Sequence, residues 1–200
     1  PETLAYIEKH KGENLSVAAT GNTFRTDAKG FLPSLMNKMY AERKEFKKKM
    51  IECQKQKEKD PTNKDLDYQI AKFHNFQQVR KIQLNSAYGA IGNEWFRYFD
   101  TRMAEAITLS GQLSIRWIAD KLNEFLNTTL ETGDYDYVVA SDTDSIYLRL
   151  GNLVDKTCSG KSTKEIVDYL DKASEKIILP FIKKQYDDLA VMMSSYENKM

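Results

Sequence analysis

Cysteine is nearly missing from the 200 residues: Cys53 and Cys158 stand in unrelated contexts. Neither a disulfide framework nor a zinc cluster can be built from them, and reduced thiols in a cytosolic setting are the expectation. Histidine is as scarce, and His10 and His74 lack companion ligands, so structural or surface roles are expected of both. No apolar run is long enough to span a bilayer and the N-terminus lacks a signal-peptide pattern, so a soluble chain is expected. Net charge is close to absent, at +1, which removes any global electrostatic signature. The charge is uneven, however. From Lys38 to Asp60 nine basic residues stand against five acidic ones, which suits a local polyanion contact or, on the simpler reading, a solvated helix face. The chain begins with Pro1 rather than Met and ends in the polar run Ser194 to Met200 without a cap or stop signal, and it reads as a piece of something larger.

Two familiar binding loops are also excluded. Gly160-Lys161-Ser162-Thr163 imitates the end of a phosphate-binding loop, but Asp155 stands where the earlier glycine is required. Asp142 could open a calcium loop of the EF-hand type, but the sixth position is Tyr147 instead of Gly and the twelfth is Leu153 instead of Glu.

What is present centres on Tyr135 to Leu150, YDYVVASDTDSIYLRL. β-Branched and aromatic residues flank a short polar Ser-Asp-Thr-Asp-Ser, which predicts a hairpin with Asp142 and Asp144 at its tip. Alternate strand residues share a face, so the two carboxylates are expected to point the same way and to offer hard oxygens to a cation such as Mg²⁺. The plainer alternative is turn chemistry, since Asp and Ser are common between strands.

Around this hairpin the spacing is mostly helical. Glu2 to Lys11 suits a short helix, and Leu15 to Asp27 suits two short strands about Thr20-Gly21-Asn22. Pro33 is expected to open a helix in which Met36, Met39, Tyr40, Phe46, Met50 and Cys53 recur at helical spacing. Asp60-Pro61-Thr62-Asn63 ends it and offers an N-cap for a second helix carrying Leu66, Ile70, Phe73 and Gln77, packed antiparallel on the first. Late in that second helix Lys81, Asn85 and Tyr88 fall at i, i+4 and i+7, and Gly89 and Gly92 follow. Lys suits a phosphate, Asn a sugar or base edge and Tyr a flat base, while the glycines allow another backbone to approach. Arg43 and Lys47, brought beside this face, would complete a triphosphate clamp. A long helix from Thr101 to about Thr128 follows, with Met103, Ile107, Leu113, Trp117, Leu122 and Phe125 as its core stripe. Ser162 with Glu165 reads as a capping box for a last helix from Thr163 to roughly Tyr196, kinked at Pro180.

Lys81-Ile82-Gln83-Leu84-Asn85-Ser86-Ala87-Tyr88-Gly89 resembles the K-x-x-x-N-S-x-Y-G motif of family B DNA polymerases, and Ser141-Asp142-Thr143-Asp144-Ser145 resembles their second catalytic carboxylate motif. The continuation AIGNEWFRYFD, Ala90 to Asp100, looks most like the replicative polymerases of T-even-like tailed phages. The resemblance implies an α+β fold, in which an antiparallel helical hairpin forms the fingers and a small antiparallel sheet packed on long helices forms the palm. Residues 1–32 and 94–200 would be palm and residues 33–93 fingers. It implies template-directed DNA synthesis with two Mg²⁺ ions, Asp144 being a main metal ligand with Asp142 beside it. Arg43, Lys47, Lys81 and Asn85 would hold the triphosphate, and Tyr88 and Gly89 would line the pocket against the nascent base pair. The implied partners are primer-template DNA, deoxynucleoside triphosphates and, in a complete enzyme, a sliding clamp and other replisome proteins. The implied setting is the cytoplasm of an infected bacterium.

The chain departs from the family pattern at Ala140-Ser141, where Tyr-Gly is usual, and its fingers are short. The first carboxylate motif, an Asp followed by S-L-Y-P-S, is nowhere in the chain, nor are the exonuclease and thumb, so the chain alone is expected to be inactive. Two other readings compete: a metal-dependent nucleotide-sugar transferase using the D-x-D, and a non-enzymatic helical interaction module. Neither explains why both motifs occur in one chain.

Overall fold

In a computed structural model, which describes residues 2–196, the chain is an α+β protein with two small antiparallel sheets among long helices. The expectations for Pro1 and for the end of the polar run, residues 197–200, lie outside the described residues. Two compact units form, one from the stretch through Thr26 together with Glu105 onward, the other from Asp27–Ala104. Among the described residues no helix is long and apolar enough to cross a membrane.

The Asp27–Ala104 unit is built on two helices, α2 (Phe31–Lys59) and α3 (Lys64–Ile91). Helix α2 starts two residues before Pro33, because a proline in the first turn lacks only an N–H that has no helical partner there. Asn63 caps α3, its side-chain oxygen accepting from the Asp65 N–H. The helices pack antiparallel: Glu42 pairs with Arg80 at 2.9 Å, Phe46 meets Phe73 and Phe76, Cys53 meets Gln69 and Lys57 meets Asp67. The residues flanking the hairpin are tied to it. The Phe31 ring lies 5.1 Å from that of Tyr98, and the Asp100 N–H donates to the Ile91 carbonyl.

In the other unit, helix α1 (Glu2–Lys11) precedes strands β1 (Leu15–Val17) and β2 (Thr23–Arg25), which pair through a turn where Gly21 takes φ 82°. Val17 N–H and Ser16 Oγ both donate to the Met193 carbonyl, tying β1 to the far end of the chain. Helix α4 (Thr101–Leu130), whose first four residues belong to the Asp27–Ala104 unit, is preceded by Asp100, whose carboxylate accepts from the Arg102 N–H and guanidinium. That side-chain bond to Arg102 holds the Asp100 carboxyl below its usual range.

The buried face of α4 differs from the expected stripe. Ala106, Ile118, Leu122, Leu126 and Leu130 are buried, whereas Ile107 is half exposed and Met103, Leu113, Trp117 and Phe125 only flank the buried row. Leu122 is buried as expected, but the four-residue spacing from Ile118 to Leu130 puts Ile118 and Leu126 in the row where Trp117 and Phe125 were expected. Size drew the expectation to Trp117 and Phe125, which instead bridge outward to α7 (Leu179–Met192). Trp117 Nε1 donates to the Gln185 carbonyl and the Phe125 ring stacks on Phe181 at 4.3 Å. Leu122 and Ile118 are the centre of the core, covered by Ile178, Ile146, Leu148 and Phe181.

Strands β3 (Val138–Asp142) and β4 (Ser145–Leu148) form the second sheet, which packs on α4 through Leu148 and through Tyr137 just before β3. A short helix, α5 (Gly151–Thr157), follows that no spacing in the sequence announced. The last helix is not continuous. The capped α6 (Thr163–Ala173) passes into a π-helical segment, Ser174–Ile178, and then into α7. Pro180 opens α7 and has no N–H for the turn behind it, so the irregularity expected at the proline falls in the five residues before it. Helix α7 also stops at Met192, short of Tyr196, because Ser194 turns left-handed (φ 53°) and the chain closes on itself: Ser194 N–H donates to Val191 O and Ser195 N–H to Ala190 O.

The capping box at α6 is fully formed, with Ser162 Oγ and N–H bonded to Glu165 Oε2 at 2.7 and 2.9 Å. The Ser162 hydroxyl, followed by its backbone N–H, holds the Glu165 carboxyl below its ordinary value. A lowered folded-state pKa means stability that is complete above the unfolded value and lost as pH falls through the lowered one. Acidification below about pH 4 should therefore fray the first turn of α6. Carbon chemical shifts of residues 163–166 should lose helical character in the wild type and change little with pH in Ser162→Ala, where the cap is already gone.

Candidate active site

The tip of the second hairpin is a two-residue turn. Asp142 is the last residue of β3 and pairs with Ser145, leaving Thr143 and Asp144 between the strands. Thr143 takes φ 52°, the left-handed conformation that two-residue hairpins need at their centre. Asp144 is thus a turn residue, and the expected alternation along a strand does not reach it. Thr143 Oγ1 donates to Asp142 Oδ1 at 3.0 Å and Ser145 Oγ donates to the Asp142 carbonyl at 3.0 Å. Residues 141–145 are all exposed. Ala140, which borders an irregularity in the ladder after Val138, pairs with Tyr147, and Ser141 pairs with Ile146; neither has positive φ, so the hairpin needs no glycine there. Among the described residues no group of three or more His, Cys, Asp or Glu side chains is placed to hold a metal ion.

The base of the hairpin is where its precision arises. Tyr137 is fully buried, its ring against Leu126, Leu130 and the Tyr135 ring, and its hydroxyl bonds Thr132 Oγ1 at 2.8 Å and Asn152 Nδ2 at 3.4 Å. Its carbonyl accepts from the Arg149 N–H. Two asparagines one turn apart on α4, Asn123 and Asn127, hold the backbone of residues 135–138. Nothing in the sequence reading found them. The available signal was an amide at i and i+4 beside an otherwise apolar row.

In the Asp27–Ala104 unit, Lys81, Asn85, Tyr88 and Gly89 are exposed along α3, as their spacing requires. The Glu42–Arg80 pair brings the turn of α2 that carries Arg43 to the level of the turn of α3 that carries Lys81. Arg43 is half-buried, and its Nε is buried without a hydrogen-bond partner, whereas Lys47 is exposed. Arg80 was missed by sequence reasoning; it lies over the Phe46 ring and locks the two helices. Gly89 sits inside α3 without positive φ, and a Cβ there would meet nothing within 4 Å.

The model of DNA polymerase family B matches residues 2–184, a stretch that includes both motifs. The chain belongs to DNA polymerase family B. It is 40% identical over 126 residues to the DNA-directed DNA polymerase of Enterobacteria phage T4, covering 62% of this chain and 14% of that protein. Likeness to the DNA-directed DNA polymerase of Escherichia phage RB69 is 40% over 123 residues, 60% of this chain and 14% of the relative. DNA polymerase 1 of Pyrococcus abyssi is 30% identical over 152 residues, 76% of this chain and 17% of the relative. The chain thus spans about a seventh of the length of the phage family members.

Tyr137→Phe should cost about 1 kcal/mol, since it removes a buried hydroxyl bonded to Thr132 and Asn152 while leaving the ring in place. Urea unfolding followed by circular dichroism measures it, with the midpoint expected to fall and the slope to stay unchanged.

Proposed function

We propose that this chain supplies the fingers and part of the palm of a DNA polymerase that extends a primer on a template. Residues 33–93 serve as fingers, and residues 1–32 and 94–200 as palm. The primer 3′-hydroxyl releases its proton to solvent as its oxygen attacks the α-phosphorus of a deoxynucleoside triphosphate, the bond from that phosphorus to the oxygen bridging to the β-phosphate breaks, and diphosphate leaves. Arg43, Lys47, Lys81 and Asn85 hold the triphosphate. Their cations offset charge on the transferred phosphate where water is excluded. Tyr88 and Gly89 face the nascent base pair.

Exposed carboxylate oxygens suit a hard cation, so Asp144 and Asp142 would hold Mg²⁺, which when bound supplies charge neutralisation at the phosphate oxygens. Two carboxylates are too few for a pair of ions, and the remaining ligands would come from a polypeptide carrying the first carboxylate motif. In such a complete enzyme the partners would be primer-template DNA, a sliding clamp and other replisome proteins, working in the cytoplasm of an infected bacterium.

The observation that carries this reading is the family match over residues 2–184, which takes in both motifs, and Gly89 agrees with it. A glycine inside a helix costs roughly 1 kcal/mol relative to alanine, and here neither backbone conformation nor packing asks for it. Open space beside the Lys81–Asn85–Tyr88 face is what a ligand needs.

Two experiments test the reading. Gly89→Ala should raise the melting temperature of the chain while slowing primer extension in the complete enzyme; a variant both more stable and fully active would overturn the role. The second is primer extension with Mg²⁺. The isolated chain should extend nothing, and activity should appear with the complementing polypeptide and vanish in Asp144→Ala. Lys81→Ala should slow incorporation by about 10²-fold and weaken the apparent affinity for deoxynucleotide. Unchanged kinetics in Lys81→Ala would remove it from the clamp.

A further inference from the structure

A hairpin of two strands is barely stable by itself, and this one is exposed over its whole tip, so whatever aims its aspartates must act at its base. The hydrogen bonds there come from one face of α4. Asn123 Oδ1 accepts from the N–H groups of Tyr137 and Val138 at 2.9 and 3.2 Å, and Asn123 Nδ2 donates to Asp136 Oδ1 at 3.0 Å. Asp136 Oδ1 also accepts from the Val138 N–H. One turn later Asn127 Oδ1 accepts from the Tyr135 N–H and Thr132 Oγ1 at 2.9 and 2.7 Å, and Asn127 Nδ2 donates to the Tyr135 carbonyl at 2.8 Å. The two amides stand in for the edge of a neighbouring strand.

Directly beyond this clasp the ladder is irregular. Val138 faces Leu148 and Ala140 faces Tyr147, so Val139 is an extra residue and forms a β-bulge. A bulge reverses the alternation of every residue after it, and a one-residue slip in register does the same. The side to which Asp142 points therefore depends on where the bulge falls, and the bulge falls where Tyr137 and Val138 are pinned.

We propose that Asn123 and Asn127 are positioning residues, which fix the Val139 bulge in place and thereby aim the aspartate tip. The proposal rests on the polymerase reading for its effect on chemistry, and on geometry alone for its effect on register. The clasp touches neither Asp142 nor Asp144 and acts only through the backbone between.

A swap tests it. Asn123→Asp sets two carboxylates against each other, whereas Asn123→Asp with Asp136→Asn restores the same bond with donor and acceptor exchanged. Asp136→Asn alone keeps an acceptor for the Val138 N–H and serves as the control. In the complete polymerase, Asn123→Asp should slow single-turnover incorporation by about 10²-fold, the cost of a displacement near 1 Å. It should raise the Mg²⁺ concentration needed for half the maximal rate and leave deoxynucleotide affinity unchanged, and the double variant should recover both. In the 200-residue chain, amide exchange across residues 138–148 should quicken in Asn123→Asp and return to wild-type values in the double variant. A slower rate without a changed Mg²⁺ requirement, or a double variant that recovers neither rate nor exchange, overturns the proposal. A wild-type enzyme that incorporates nothing overturns the polymerase reading instead, and exchange alone then decides whether the clasp sets register.

Discussion

Two strands cannot hold themselves up in water, and both sheets here have only two. Each therefore borrows its rigidity from a helix. The first sheet is tied through Val17 and Ser16 to Met193 at the end of α7 and through the Ala19 N–H to Ser110 on α4. The second is seated on α4 by Tyr137 and Leu148 over Leu126 and Leu130. Helix α4 is consequently the common support of its unit, and its fully buried Leu122 lies where hairpin and final helices meet it. The Lys156 ammonium, donating to the carbonyl of Leu130 at the C-terminal end of α4, closes off that support.

The Asp27–Ala104 unit solves a different problem. A hairpin of two long helices exposes most of its surface, and the apolar seam between them is narrow, with Cys53, Leu66 and Gln77 its buried members along most of the length. Aromatic rings and ion pairs fill the rest. Phe46 lies between Phe73 and Phe76, with Arg80 and Lys49 over its face. Of the basic residues between Lys38 and Asp60, Lys44 and Lys49 lie against rings, so that part of the charge excess is structural. Lys81 and Lys47, by contrast, stand exposed.

Local chemistry was legible before any coordinates. The Asn63 cap, the Ser162–Glu165 box, the turn at Gly21 and the break at Pro61 were read correctly because each depends on a few adjacent residues with one dominant physical role. The antiparallel helical pair and the aspartate hairpin followed from period alone. What failed needed knowledge of the other side of an interface. On α4 Leu122 was placed correctly, but Trp117 and Phe125 were expected where Ile118 and Leu126 are buried, because a helix spacing does not say which of two neighbouring rows meets the core. The asparagines at 123 and 127 were invisible because a polar residue beside an apolar row signals a boundary as readily as a clasp. The π-helical segment before Pro180 depends on how a missing N–H is absorbed, which several geometries can do.

The threonine at the hairpin tip has a consequence of its own. Thr143 is β-branched, and a left-handed conformation is uncomfortable for it by about 1 kcal/mol or more. Glycine would sit there without strain but would also wander through many conformations on the way. A threonine has few ways to occupy that basin, so the tip is a narrow ensemble held open by the ladder on either side. Asp142 and Ser145, paired across that turn, therefore have little backbone freedom left to surrender.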